Sequence, residues 1–330
     1  MFSFPLESLK ALDISDQPAL KPLILSLEPH SCELNFLNLY TWARAYSTHF
    51  AIYAGLPWFW FPPASAALLP RAAIHDSSEV SLPGNQGEDL LLFPGGFNRG
   101  RWPSPELLAA VMWTFRQAGY AGIIRNVPVE YVQSFPEVNS LFRVDEESSA
   151  MSEYLYSVEQ LQSLQGQKLA KKKNLIAQFR QLYPSHSVRG FSSELIPDCR
   201  CLAERWYAAH PGDDYIRAEA DALDRTFAAV AELAPEGVCL YVDNILAGFS
   251  LITRLNTNTC DEHFEKIDTS YKGVGQVLFQ ELLQRLDGRY EFINREQDLG
   301  LAGLRQAKNS YDPIAVRQQF QFMLPMESPG

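Results

Sequence analysis

The chain has 330 residues, 46% of them apolar and 20% charged, with a net charge of −11. That length suits two domains of about 150 residues each, and an acidic balance spread over both halves excludes a nucleic-acid module working through overall charge, so DNA is not an expected partner. No apolar run approaches the roughly 18 residues of a membrane span, and the start, MFSFPLESLKALD, lacks the basic flank and long apolar core of a signal peptide. A cytoplasmic location is therefore expected. Cys32, Cys199, Cys201, Cys239 and Cys260 show no paired spacing, so neither a disulfide framework nor a metal site is expected.

In chain order, an amphipathic stretch at 34–46 precedes a hairpin, HFAIYAGLPWFWFPP, with Gly55 and Pro57 marking the turn. Trp58, Phe59, Trp60 and Phe61 have the makings of a base-stacking platform, but an unbroken aromatic run between turn residues better fits a strand covered on both faces. Residues 62–88, rich in Pro, Ala, Ser and Gly, read as a loop or insertion. DLLLFPGG then reads as a strand, SPELLAAVMWTFRQAG as a helix capped by Ser104 and stopped by Gly119, and AGIIRNVP as another strand. The polar segment 144–153 suits a boundary, dividing the chain into 1–150 and 151–330.

In the second half, Leu175, Ile176, Phe179, Leu182 and Tyr183 form one helical stripe ended by Pro184. A helical region over 196–233, broken near HPGDD, leads to a hairpin turning at Asp243-Asn244. EHFEKID, GVGQVLFQELLQRL, YEFIN, residues 299–311 and VRQQFQFML then read as strand, helix, strand, helix and strand. The order is that of an α/β (α+β) mixed sheet flanked by helices.

Chemistry gathers at the ends of these strands. Phe292 and Ile293 point to opposite faces, which marks a central strand, and Asn294, Arg295, Glu296, Gln297 and Asp298 follow as it leaves the core. By alternation His263, Glu265 and Ile267 share one face, and Phe264, Lys266 and Asp268 the other. Ionisable groups inside a covered strand require a salt-bridge network or a wet cleft. Gly273 and Gly275 open the next helix, whose free N–H groups favour phosphate; the pattern is not a Walker A loop, and a glycine-rich helix entry with no ligand fits as well. Lys308 lies on the core stripe with Leu301, Leu304 and Tyr311, there either to pair with Glu296 or Asp298 or to bind an anionic substrate group. Asp298 reads as a helix cap.

EHFEKID…YKGVGQV, INREQDLGLAGLRQAKNSYDP and LQGQKLAKKKNLIAQFRQLYP, with CELNFLNLYTWARAY near the start, resemble an uncharacterised bacterial family similar to the C-terminal domain of phosphatidylglycerol lysyltransferase. The resemblance implies two tandem GNAT-like (acyl-coenzyme A N-acyltransferase) domains, an architecture shared with Fem aminoacyltransferases. It implies transfer of an acyl or aminoacyl group to a small-molecule or peptide amine. Carried over by motif, Lys272, Gly273, Val274, Gly275 and Gln276 would hold the pyrophosphate of a coenzyme A thioester, although Ser270 stands where that loop usually begins with Gln or Arg. Glu265 would be the base and Tyr311 an acid for the leaving group, with His263, Lys266, Asn294, Arg295, Glu296 and Lys308 around the substrate. The alternative donor is aminoacyl-tRNA, tracked by Lys168, Lys171, Lys172 and Lys173; a third reading is a non-catalytic nucleotide- or peptide-binding protein on the same fold.

Overall fold

The computed structural model describes residues 3–63, 88–210, 214–286 and 288–325. All but the edges of the insertion expected at 62–88 lies outside the described residues. The chain divides into two compact units, residues 1–152 with 299–301 and 317–330, and residues 153–298 with 302–316.

The first unit runs β1 (Lys10–Ala11), α1 (Gln17–Ser26), α2 (Phe36–Thr41), α3 (Ala43–Tyr46), β2 (His49–Tyr53), β3 (Leu56–Phe61) and β4 (Leu90–Leu92). It continues with α4 (Pro105–Gln117), β5 (Ile123–Pro128), α5 (Val129–Ser134), α6 (Val138–Leu141) and β6 (Arg143–Glu146). Ala54 and Gly55 turn the β2–β3 hairpin with φ of 53° and 73°, the paired left-handed residues of a type I′ turn, so Pro57 belongs to the strand. Every residue of β3 is buried, as a core strand rather than a stacking platform requires. Ser104 accepts a hydrogen bond from the Leu107 N–H at 3.2 Å and caps α4. The helix carries the chain from β4 to β5, which pair in parallel.

The second unit runs β7 (Glu153–Ser157), α7 (Val158–Ser163), α8 (Ala170–Leu182), β8 (Ser187–Gly190), α9 (Ile196–Ala209), α10 (Asp214–Ala228) and α11 (Val230–Leu233). Then come β9 (Glu236–Val242), β10 (Ile245–Arg254), β11 (Thr259–Ile267), α12 (Val274–Arg285), β12 (Phe292–Gln297), α13 (Ala302–Asn309) and β13 (Ala315–Arg317). The last strand, β14 (Gln319–Met323), pairs with β5 and β6, so it completes the first sheet although a boundary at 150 assigns it to the second half. The two seven-stranded sheets have the orders β1-β2-β3-β4-β5-β14-β6 and β13-β7-β12-β11-β10-β9-β8. Each is mixed and flanked by helices, the α/β (α+β) arrangement expected from the element order.

Two features of the second sheet position the site. Its strands β11 and β12 are parallel but register only at Thr259↔Phe292, Cys260↔Ile293 and Asp261↔Asn294, so their carboxyl ends are free to take different partners. One face is covered by α7, α8 and α12, whose Leu161, Ile176, Phe179, Val277, Leu278 and Leu282 share a core with Tyr156, Cys260 and Ile293; each such side chain stabilises the fold by about 1.5–3 kcal/mol.

Gly273 caps α12 with φ +86°, and a Cβ there would lie 2.7 Å from the Leu175 carbonyl oxygen of α8. This glycine is required because two helices approach closely at a left-handed position. Gly273→Ala is therefore expected to destabilise the protein by about 1–3 kcal/mol, with or without any ligand. Urea unfolding of the two proteins checks this.

Candidate active site

An extra residue in β11 builds the site. Leu251 faces Phe264 across the β10–β11 ladder, but the next residue, Ile252, faces Glu262, so His263 is a bulge residue. Regular alternation would put Glu262 and Glu265 on opposite faces; one inserted residue brings both to the same one. There Arg295 of β12 meets them, with Nη2 2.9 Å from Glu265 and Nε in a shorter contact with Glu262. Ser250 Oγ donates to the other Glu262 oxygen at 2.7 Å. The arginine lies 4.2 Å from the Phe279 ring centroid and 5.4 Å from that of Tyr311, and those two rings meet edge-on at 5.2 Å. Lys172 of α8 completes the group, its ammonium 3.9 Å from the Tyr311 centroid and donating to Ser310 Oγ at 2.6 Å.

These groups stand at different depths. Glu262 keeps 3% of its side-chain surface and Arg295 13%, whereas Glu265 keeps 26%. Burial pushes the Glu265 carboxyl up to about 7; Arg295 opposes this, Glu262 adds to it, and Lys266 and Lys172 oppose it. Burial lowers the Lys172 ammonium, helped by Arg295 and opposed by Glu265. The Tyr311 hydroxyl is raised to about 12, chiefly by burial. Gln276 lies beside that hydroxyl and opposes the rise, so it faces Tyr311 as well as opening α12. A Cβ at Gly275 would lie 3.3 Å from Ile267 Cδ1 and 3.9 Å from Glu265 Oε1, so the glycine keeps the space beside that carboxyl open. An accessible carboxyl poised near neutrality, next to fixed cations, can take a proton from a substrate.

The other sequence-predicted residues go elsewhere. His263 does not share the Glu265 site: its Nε2 is 2.7 Å from Thr253 Oγ1 and its Nδ1 3.2 Å from Glu296 Oε1. Lys266 is buried against the rings of Trp206 and Tyr207 and pairs with Glu219 at 2.7 Å. Asn294 is buried; its amide donates to Glu153, and its oxygen accepts from the Glu296 N–H at 2.9 Å. The Lys308 ammonium donates to the carbonyls of Arg295, at 2.6 Å, and Gln297, so backbone oxygens of β12 are among its partners. Asp298 accepts from Tyr154 at 2.6 Å and from Arg305 of α13 at 2.7 Å. Lys272 and Val274 lie in the α12 entry, with the Lys272 N–H on the Tyr183 hydroxyl. Lys168 pairs with Asp312 at 2.6 Å, which leaves Lys171 and Lys173 as the solvated members of that run. Among the described residues Asp261, His263 and Glu296 have ligand atoms within 4.8 Å of one another and are placed to hold a metal ion. Glu262, Phe279 and Ser310 were missed; for Glu262 a second acid three positions before Glu265 was a signal, but alternation hid it.

The family described as "Phosphatidylglycerol lysyltransferase, C-terminal" matches residues 82–321. The chain belongs to that family. A conserved protein of unknown function from Bacteroides thetaiotaomicron VPI-5482 superposes with a TM-score of 0.80 at 24% identity, covering 96% of this chain and 99% of that one. The C-terminal domain of a protein described as a lysylphosphatidylglycerol synthetase, from Agrobacterium fabrum, gives 0.62 at 13% identity over 93% and 91%. Both likenesses establish the fold. A sequence relative, an uncharacterized protein of Mycoplasmoides gallisepticum, is 27% identical over 209 residues. That match spans 62% of this chain and 64% of the relative, less than two thirds of its length. No helix among the described residues of this phosphatidylglycerol lysyltransferase C-terminal family member is long and apolar enough to cross a membrane.

Arg295→Met would leave Glu262 and Glu265 facing each other without their cation. A loss of about 3–5 kcal/mol is expected in urea unfolding. Because the folded-state pKa of Glu265 is raised to about 7, its protonated form is the one folding favours. That stabilisation is fully present below the unfolded carboxylate pKa of about 4.3 and is lost as pH rises through about 7. Melting curves should accordingly show Glu265→Gln gaining on the parent as pH rises from about 4.5 to about 7.

Proposed function

We propose that the second unit transfers an acyl or aminoacyl group to an amine, with Glu265 as general base. One observation carries this reading: a partly exposed carboxyl raised to about 7, joined by Arg295 to the ring that carries the Tyr311 hydroxyl. An acceptor amine arrives protonated. Glu265 takes its proton, directly or through one water, and the freed lone pair attacks the donor carbonyl. The carbon–nitrogen bond forms, the bond to the leaving group breaks, the leaving atom takes a proton from Tyr311, and the second proton that the nitrogen sheds on becoming an amide restores the Tyr311 hydroxyl, directly or through water. Arg295 holds Glu265 in place. Lys172, close to the same ring, adds positive charge where an anionic donor or intermediate would lie.

Three observations favour an aminoacyl ester, the linkage in charged tRNA, over a coenzyme A thioester. Gly273 gives its space to the α8 backbone, so that glycine is explained without a pyrophosphate, and Ser270 binds Asp268 through its hydroxyl at 2.6 Å. Tyr311, raised to about 12, is too weak an acid to help a thiolate, whose conjugate acid lies near 8.5, but it suits the more basic oxygen of an ester. The family's lysyltransferase description agrees with such a donor. Lys171, Lys173 and Lys272, all exposed, would meet its phosphates.

The test supplies a pool of radiolabelled aminoacyl-tRNAs, and in parallel acetyl-coenzyme A, with hydroxylamine as a generic amine. Aminoacyl hydroxamate should form above the uncatalysed rate from the tRNA pool. The rate should fall as pH drops through about 7, and Glu265→Gln should lose that limb with about 10²–10⁴ of the rate. Product from acetyl-coenzyme A alone would move the donor to a thioester; product from neither would end the catalytic reading.

A further inference from the structure

The first unit buries three polar side chains whose hydrogen-bonding atoms the fold does not use. His30, Asn126 and Gln319 are 2%, 4% and 3% exposed. Among the described residues, His30 Nδ1, Asn126 Nδ2 and both amide atoms of Gln319 have no hydrogen-bond partner. The three belong to one place. His30 Nε2 is 3.0 Å from the Asn126 carbonyl oxygen, and Gln319 opens β14 opposite Pro128, two residues along β5 from Asn126. The Gln319 amide and the Gly95 backbone adjoin the His30 ring without making a well-formed bond to Nδ1. Leaving buried polar atoms without partners is costly, and His30 Nδ1 and the two Gln319 amide atoms lie together, with Asn126 bonded through its backbone to the same ring.

We propose that His30, Asn126 and Gln319 form a binding site for a neutral, amide-bearing molecule. The chemistry of the free atoms selects this class. A carbonyl only accepts, so His30 Nε2 is the protonated nitrogen. Burial first, and then Arg317, lowers the ring to about 4, so it is neutral at pH 7 and Nδ1 is a bare acceptor. The site therefore offers acceptors at His30 Nδ1 and Gln319 Oε1 and donors at Asn126 Nδ2 and Gln319 Nε2. A carboxamide, which has an N–H and a C=O side by side, matches that mixture. A carboxylate would leave the acceptors unmet, and an ammonium would leave the donors unmet. Phe97, edge-on to His30 at 6.1 Å and 39% exposed, links the group to solvent. Arg317 does not compete for the free atoms, since its guanidinium donates to the His30 carbonyl at 3.0 Å and lies over Phe97.

The experiment uses the full chain, N-acetylglycinamide as probe, and Gln319→Met, which keeps the side-chain length without the amide. If the amide is orphaned until a ligand arrives, the variant melts at or above the parent's temperature. The probe then raises the parent by about 2 °C or more and leaves the variant unmoved. Asn126→Gly, which keeps the left-handed φ of 65° and removes the donor, should likewise lose the response. Three results each overturn the proposal: a lower melting temperature for Gln319→Met without probe, meaning that water or the fold already satisfies the amide; no rise in the parent; or an equal rise in parent and variants.

Discussion

The second unit turns on a single guanidinium. Arg295 is the counter-ion of two carboxylates on a neighbouring strand, and the single-residue bulge at His263 puts both within its reach. Two acids at this distance would repel strongly in a poorly solvated setting, so arginine, bulge and acids must be present together. The aromatic residues around the arginine follow from the same need. Phe279 and Tyr311 offer ring faces to a planar cation, which aromatic side chains do more favourably than aliphatic ones.

Between Asn294 and Gln297 the pairing of β12 with β7 shifts register, and polar side chains hold the strand there. Asn294 fixes the Glu296 N–H, Glu296 adopts φ 57°, and the buried Lys308 ammonium gathers the carbonyls of residues 295 and 297. The first unit uses a similar device at the matching strand. Arg125 of β5 pairs with Glu147, which also accepts from the Asn126 N–H, and Asn126 has φ 65°. In each unit the strand after the crossover helix thus has an ion-paired arginine followed at once by a left-handed residue. Such strain persists where surrounding bonds over-determine the backbone, and it is common at functional sites.

The units differ in what they leave available. In the second, the residue with access to solvent is an acid near its midpoint at neutral pH, which suits proton transfer. In the first, the available atoms are neutral amides and a neutral imidazole, which suit recognition without proton transfer.

Much of the fold was written in local sequence. The left-handed pair Asp243-Asn244, the Ser104 cap, the aromatic core strand β3 and the strand–helix–strand order of 259–297 each follow from turn chemistry, capping or apolar pattern, and all are found. Family membership was also legible, in long motifs around the same strands. Tertiary structure alone decided which charges meet. Alternation joins His263 to Glu265 and separates Glu262 from it; the register between β10 and β11 reverses both, and register is a property of a strand pair rather than of one strand. Whether Lys308 met a carboxylate, a ligand or two carbonyls depended on how β12 bends. Whether Gly273 served a phosphate or a helix depended on where α8 lies. Short-range rules place a residue on an element, but only packing sets its partners, because those partners lie tens of residues away along the chain.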